Sequence, residues 1–526
     1  MLPYFVIVPI LTAVFLYIFP FAKTARVIAV AVQCAITALA VYVFTIARDE
    51  QIIVNIGGYE SVLGITLRAD TLSSAFVVLT VFIFTIAAVF CFSRSPSKMF
   101  WFLLFVWEGL MLGIFLTRDL FNIFVLVEVA TVVIAIMIMY SRDNRSMYDG
   151  MFYLMINIVA MHFYLFGIAY VYKLTGVMDM EAAAMSLGEL DRSSLILPYA
   201  LIITAVSLKS ALLPLFIWLP KAHGTPGAPT AVSALLSGVY VKSGIYLFMR
   251  TQALFSGLDT TMFFLILGIG TGIVGFILAI AQTDIKRILA YSTISQIGMI
   301  MIGLNIGQEY AHIGALYHTI NHALFKSALF LCAGHIAKVY GTRNIHEIRG
   351  IFRRLPIMGI ASVMAILGIT GAPLFNGSIS KYFIMYDTHW SIGALLIFIN
   401  LGTIITFMRY SIILFGKPSQ EEKTKSYKSE QFAVLILGTL CLIGGFFGVQ
   451  LINLLFEVQL HVDAAGYLEK SLIFAASVIV GYLIYRFYIK RSRLFKQLSD
   501  ADVGFKGTCT IMGAFFAFII LSLILQ

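Results

Sequence analysis

Sixteen apolar runs, most of them close to 20 residues long, succeed one another along almost the whole chain. They lie at roughly 3–21, 26–46, 71–92, 99–117, 120–140, 149–172, 195–219, 228–250, 261–282, 287–305, 311–337, 357–386, 391–415, 431–456, 470–489 and 507–525. A helix needs about 20 apolar residues to cross the hydrocarbon of a bilayer. In lipid nothing but the segment itself can satisfy backbone N–H and C=O groups, so each run is expected to be a helix. The composition agrees: 60% of the 526 residues are hydrophobic and 12% are charged, where a soluble chain carries about 25% charged residues. The expected fold class is an all-α polytopic membrane protein. The first run follows the initiating methionine without a basic leader, so it reads as a retained span rather than a cleaved signal peptide.

The connections alternate in charge. Odd-numbered ones hold Lys23 and Arg26, Arg94 and Lys98, Arg142 and Arg145, Lys221, Lys286 and Arg287, Arg343 to Arg354, Lys417 to Lys428, and Lys490 to Lys496. Even-numbered ones carry Glu60, Asp70, Glu181, Glu189, Asp259, Glu309 and Glu457. The positive-inside rule then places the odd loops in the cytoplasm and both termini outside; the expected location is the cell's inner (plasma) membrane. The net charge of +10 is split among these short loops and forms no stripe, which argues against a nucleic-acid partner. Residues 51–69 alternate apolar and polar around Gly57-Gly58, as a small external hairpin does. The stretch 173–194 contains a short surface helix in MDMEAAAMSLGEL.

Two runs are interrupted in the same manner. The seventh carries Lys209, Pro214 and Pro220; the twelfth carries Gly368, Gly371, Pro373 and Lys381. They lie five runs apart, so they cross in opposite directions. Paired broken helices at matching places point to an inverted-repeat transporter with its site near the midplane.

Ionisable residues inside a membrane are costly and therefore read as functional. The chain has Glu128, Lys209, Lys242, Lys326, Lys381 and Arg409 within its apolar runs. Burial weakens a lysine's hold on its proton and a neighbouring carboxylate strengthens it, so a Glu128–Lys209 pair is an expected switch. His318, His322 and Lys326 are spaced by four, which sets them on one helix face, and histidine exchanges protons near neutral pH. His223, beside the break in WLPKAHG, is a candidate for proton uptake from the cytoplasm.

No cofactor is expected. The five cysteines are scattered singly, without the paired spacing of zinc or iron–sulfur ligands, and no Walker motif is present. His318-x₃-His322 lacks a third ligand for a metal. The run Gly268-x-Gly270-x-Gly272-x-x-Gly275 lies within an apolar span and reads as close helix packing, not a dinucleotide loop.

Five segments together resemble a known family: TRDLFNIFVLVE (117–128), SLKSALLPLFIWLPKAHGTPGAPTAVSALLSGVYVKSGIYLFMR (207–250), AQTDIKRILAYSTISQIG (281–298), HTINHALFKSALFLCAG (318–334) and GAPLFNGSISK (371–381). They are similar, in order, to the antiporter-like subunits shared by Mrp-type cation/proton antiporters (the D-type subunit), respiratory complex I and membrane-bound hydrogenases; DLFNIFV leans toward the D-type subunit and the hydrogenase relatives, and WLPKAH and SALLSG toward the hydrogenase and complex I subunits. The resemblance covers about residues 55–415. It implies about 14–16 transmembrane helices, with inverted five-helix repeats at runs four to eight and nine to thirteen and broken seventh and twelfth helices.

The resulting division is 1–98 (N-terminal helices and hairpin), 99–250 (first repeat, with Glu128, Lys209 and Lys242), 251–415 (second repeat, with His318, His322 and Lys381) and 416–526 (accessory helices). The resemblance further implies a proton-translocating subunit of a multisubunit complex, with other membrane subunits as partners. The expected path runs from His223 or the eighth run to Lys242, then His318 and His322, then past Lys381, with Glu128 and Lys209 gating it. Three settings remain open: a Na⁺ or K⁺/proton antiporter, the pump arm of a redox enzyme such as an NADH:quinone oxidoreductase or hydrogenase, and an uptake system with a soluble partner. In the second, the redox centres must sit in other chains.

Overall fold

The computed structural model describes residues 1–18, 22–59, 64–94, 96–418, 427–491, 498 and 502–526, with the side chains of 22, 23 and 491 excepted. Glu60, Lys423, Lys425, Arg493 and Lys496 lie outside the described residues, as do the side chains of Lys23 and Arg491.

Within the described residues, each of the sixteen apolar runs contains helix. Among the described residues, fourteen helices are long and apolar enough to cross a membrane, and the shorter Tyr4–Ile18 and Pro356–Thr370 complete the set. The chain opens with α1 (Tyr4–Ile18) and α2 (Ala22–Asp49), then the antiparallel hairpin β1 (Ile52–Asn55) and β2 (Thr66–Ala69), with Ile52 opposite Ala69. Next come α3 (Thr71–Cys91), α4 (Lys98–Leu116), α5 (Leu120–Ile138), α6 (Asn144–Thr175) and the expected short helix α7 (Met180–Gly188). The seventh run is broken into α8 (Arg192–Lys209) and α9 (Trp218–Gly224). The eighth comprises α10 (Thr230–Leu235), a π-helical turn at Leu236–Tyr240, and α11 (Val241–Leu254).

The second half continues with α12 (Thr261–Ala281), α13 (Ile285–Leu304), α14 (Glu309–Tyr340) and the one-turn α15 (Ile351–Arg354). The twelfth run is broken into α16 (Pro356–Thr370) and α17 (Asn376–Ile384), and α18 (Trp390–Tyr410) follows. The run read as one span at 431–456 divides at Phe447 into α19 (Lys428–Phe446) and α20 (Gly448–Phe456). The last two helices are α21 (Ala464–Phe487) and α22 (Phe505–Ile524).

The chain forms two compact units. The first comprises Met1–Val232, Val239–Thr260 and Val503–Gln526; the second comprises Ser233–Gly238 and Thr261–Asp502. The C-terminal helix α22 therefore belongs with the first repeat. Phe516 packs on Phe163 of α6 at 5.3 Å, and Arg192 at the start of α8 donates to Leu523 O at 3.2 Å.

The two repeats share a register. In the first, Leu120 N donates to Met178 O and Met180 N to Arg118 O, bridging Asp119 to Asp179. In the second, Ile285 N donates to Arg343 O and Ile345 N to Thr283 O, bridging Asp284 to Asn344. Each residue of the second set follows its counterpart by 165 positions. So do the ends of the 32-residue helices α6 and α14, both closed by a left-handed glycine, Gly176 and Gly341. The helix breaks correspond at 160 positions. Ala211 N donates to Leu208 O and Leu212 N to Ser207 O, as Gly371 N does to Gly368 O and Ala372 N to Leu367 O. Five crossings separate counterparts, so the repeats have inverted topology.

The glycines of α12 serve packing, as expected. A Cβ on Gly268 would lie 3.0 Å from Ile302 N of α13, and Ser295 Oγ of α13 donates to Gly272 O at 2.9 Å.

Candidate functional site

The ionisable groups of the apolar runs are divided between the two units. In the first unit, α8 stops at Lys209, because Ala211 turns into the left-handed region (φ 54°). The carbonyl of Leu208 left behind accepts from Trp218 Nε1 at 2.8 Å, so the break leaves that group satisfied. Lys209 is 2% exposed. Its Nζ donates to Thr131 Oγ1 at 2.8 Å and to Tyr240 OH at 3.0 Å.

Glu128 lies one turn before Thr131 on α5 and is half-buried. Lys209 and His162 are near enough to act on it. Among the described residues Glu128 forms no ion pair with Lys209; the lysine is held by neutral hydroxyls instead. Lys242 follows Tyr240 by two residues and is buried in α11. His223 and Lys221 are both buried in α9. Lys221 is therefore no loop charge: its Nζ donates to Val503 O at 3.0 Å and sits 3.9 Å over the Phe152 ring. Lys286, also read as a loop residue, is 4% exposed in the first turn of α13.

In the second unit, His318, His322 and Lys326 lie on α14, all buried. His318 Nε2 is 3.1 Å from Gln296 Oε1, and its Nδ1 is 2.8 Å from Ser380 Oγ. The Gln296 carbonyl oxygen can only accept, so Nε2 carries a hydrogen. Ser380 then donates to the neutral ring, or accepts from it when the ring is charged; its hydroxyl serves both states. Gln296 is itself held by Thr403, to which its Nε2 donates at 3.1 Å. His322 meets the edge of Phe325 at 5.5 Å between ring centroids. Lys326 Nζ donates to Leu289 O at 2.9 Å and to Ser292 Oγ. Arg409 donates to Ile280 O at the end of α12.

Lys381 follows Ser380 on α17. Its Nζ donates to Ile369 O in the last turn of α16 and to Asn400 Oδ1 of α18, both at 2.6 Å. Tyr240 and Asn400 stand 160 positions apart, like the helix breaks, and each binds a lysine. In the first repeat that lysine, Lys209, precedes the break; in the second, Lys381 follows it. Both lysines are thus held by neutral partners rather than in a buried ion pair, and Tyr240 and Asn400 occupy equivalent positions.

Several participants were not visible in the sequence. Thr131, Tyr240, Gln296, Ser380 and Asn400 are neutral residues, common in membrane helices, and nothing in their spacing marks them. Glu108 could have been found, since it lies within the fourth apolar run. It is fully buried in α4, and Gln33 Nε2 of α2 donates to its carboxyl. His335 and Glu430 form a second buried contact, Nδ1 to Oε2 at 2.9 Å. Outside the spans, Asp70 caps α3 and accepts from Arg118 and Arg250. Burial alone would raise its carboxyl, but the two guanidinium groups outweigh that and hold it at about 2.

Residues 117–406 match the family described as NADH:quinone oxidoreductase/Mrp antiporter, TM. The chain is 30% identical to the D-type subunit of the Na⁺/H⁺ antiporter of Alkalihalophilus pseudofirmus, over 80% of this chain and 88% of that one. It is 31% identical to the N-type subunit of the NADH-quinone oxidoreductase of Desulforudis audaxviator, over 78% and 87% of the two chains. Its fold is similar to that of a chain in the Mrp complex of Dietzia sp., with a TM-score of 0.80 at 21% identity, covering 92% of this chain and 98% of that one.

Proposed function

Because this chain belongs to the NADH:quinone oxidoreductase/Mrp antiporter membrane-subunit family, we propose that it is the proton-translocating subunit of a multisubunit Na⁺ or K⁺/proton antiporter. The observation that carries this reading is the pair of buried lysines at the two helix breaks, Lys209 on Thr131 and Tyr240, and Lys381 on Ile369 O and Asn400. Each is a buried cation bound by neutral groups inside an apolar run, where an ionisable group is costly and marks a transport path. His318 supplies an imidazole held between Gln296 and Ser380, a group able to accept and donate protons.

The proposed order is uptake near His223, residence on Lys242, transfer by His318, His322 and Lys326, and release past Lys381. Glu128 acts on Lys209 by charge at a distance. Odd-numbered loops face the cytoplasm, the termini lie outside, and the membrane is the cell's plasma membrane. The partners are other membrane subunits of the complex, as the complex named for the Dietzia relative suggests.

The test is cation-driven proton flux in vesicles containing the intact complex. Lys209→Ala and Lys381→Ala are expected to abolish flux while the complex still assembles; normal flux in either assembled variant overturns the reading. The 31% identity to a quinone oxidoreductase chain favours a second reading, the proton-pumping arm of a redox complex. Mass spectrometry of the chains that co-purify in mild detergent separates the two. Flavin, iron–sulfur or nickel subunits select the redox complex, and small hydrophobic subunits alone select the antiporter.

A further inference from the structure

Helix α21 lies beyond the 117–406 segment that defines the family. It is attached at the second helix break by specific contacts. Leu374, within the break, has its backbone in the left-handed region (φ 71°), and its N–H donates to Tyr467 OH at 3.2 Å. The same hydroxyl is 2.9 Å from Ser378 Oγ in the first turn of α17, one turn before Lys381. Asp463, which caps α21, donates its N–H to Tyr382 OH at 3.2 Å, on the residue after Lys381. One tyrosine hydroxyl thus ties together the two ends of the segment that aims Lys381.

Behind this contact lies a cavity of about 40 Å³, room for roughly two or three waters. Lys381 and Asn400 line one side; Tyr467, Lys470, Ser471 and Ser477 of α21 line the other. The titratable groups facing it are Lys381 and Tyr382 from α17 and Tyr467 and Lys470 from α21; α18 contributes Ile397 and the neutral amide of Asn400, and among the described residues no carboxylate lines it. A proton leaving Lys381 therefore meets water, hydroxyls and a second ammonium group.

We propose that this cavity is the outlet of the Lys381 site, that Tyr467 is the positioning residue for the helix break, and that Lys470 promotes release by its charge. The inference rests on the proton-translocation reading above. Two ammonium groups on one small cavity disfavour each other's charged form, so a charged Lys470 drives the proton off Lys381. Without that charge, Lys381 holds its proton to higher pH.

The experiment compares Lys470→Met, Lys470→Arg and Tyr467→Phe in the full complex in vesicles, with flux measured across pH. Lys470→Met is expected to lower flux at neutral pH about tenfold and to move the flux–pH profile up by about one unit, the equivalent displacement. Lys470→Arg is expected to restore both. Tyr467→Phe lowers flux severalfold with the profile in place. If flux and profile are unchanged in Lys470→Met and Tyr467→Phe, while Lys381→Ala abolishes flux, the outlet is overturned and the function stands. Flux surviving in Lys381→Ala overturns both. Should Tyr467→Phe fail to assemble, Ser471→Cys can be treated with a small charged thiol reagent, with the unsubstituted complex as control. Block of flux is expected, and undiminished flux overturns the outlet.

Discussion

Lys209 Nζ lies 3.0 Å from the hydroxyl of Tyr240, on the helix that carries Lys242 two residues further on. The contact is made at the π-helical turn Leu236–Tyr240, where the wider turn displaces the following residues around the helix axis. Tyr240 thereby holds Lys209 from the same helical run that carries Lys242. A hydrogen bond from a charged donor contributes about 1.5–3 kcal/mol. Tyr240→Phe is expected to lower flux at least tenfold, and Thr131→Val to do the same, in complexes that elute normally on size exclusion. Wild-type flux in Tyr240→Phe would show that the hydroxyl has no part in holding Lys209.

Gln296 joins α13 to both His318 and Thr403. Gln296→Leu keeps the volume and removes the acceptor that orients the imidazole. Flux is expected to fall severalfold, because His318 then samples both tautomers and loses the fixed orientation of its ring. Gln296→Glu, which restores an acceptor and adds charge, should move the profile to higher pH by stabilising the imidazolium. A profile identical in all three proteins would remove Gln296 from the path.

Gly244 faces the helix break, and a Cβ there would stand 2.5 Å from Ser210 N and 2.6 Å from Lys209 C. Neither backbone atom can move aside cheaply. Gly244→Ala should cost about 1–3 kcal/mol of stability through overpacking. It should also displace Lys209 from Tyr240. Thermal unfolding and flux should fall together, and unchanged flux would mean that the break tolerates α11 at a larger distance.

The Asp70 cluster sets an acid limit on the fold at the start of α3. The carboxyl ionises at about 2 in the folded protein against 3.8 in the open chain. Its folded value is depressed, so its stabilisation is present above about pH 4 and is lost as pH falls from there to about 2. Asp70→Asn leaves Arg118 and Arg250 without their carboxylate and should cost about 3 kcal/mol at neutral pH. The variant's melting temperature should also depend less steeply on pH over that acid window. An equal slope in both proteins would assign the acid sensitivity elsewhere.

The spans, the two breaks and the inverted order were readable because bilayer thickness imposes a length and proline and glycine mark the interruptions. Lysines and histidines within apolar runs were readable because burying them has a cost that asks for a reason. The partner of Lys209 was not. A carboxylate one turn away on α5 suggested an ion pair, but Thr131, on that same helix, reaches the ammonium first. Nor did loop charge counting place Lys221 or Lys286 inside, because a lysine at a helix end looks the same in sequence whether it faces water or an aromatic ring such as Phe152. Glu108 shows the opposite case, a carboxyl plainly set in an apolar run and passed over beside a longer list of lysines.

The bond from Lys381 to Ile369 O gives proton release a vibrational mark. That carbonyl ends a helix and accepts from a charged donor at 2.6 Å. A bond of this kind is about twice as strong as one from a neutral amine. If Lys381 gives up its proton as proposed, the Ile369 C=O stiffens and its stretching band moves to higher frequency. An isotope label on that single carbonyl would therefore time the release step in the infrared, without a dye and without altering any side chain.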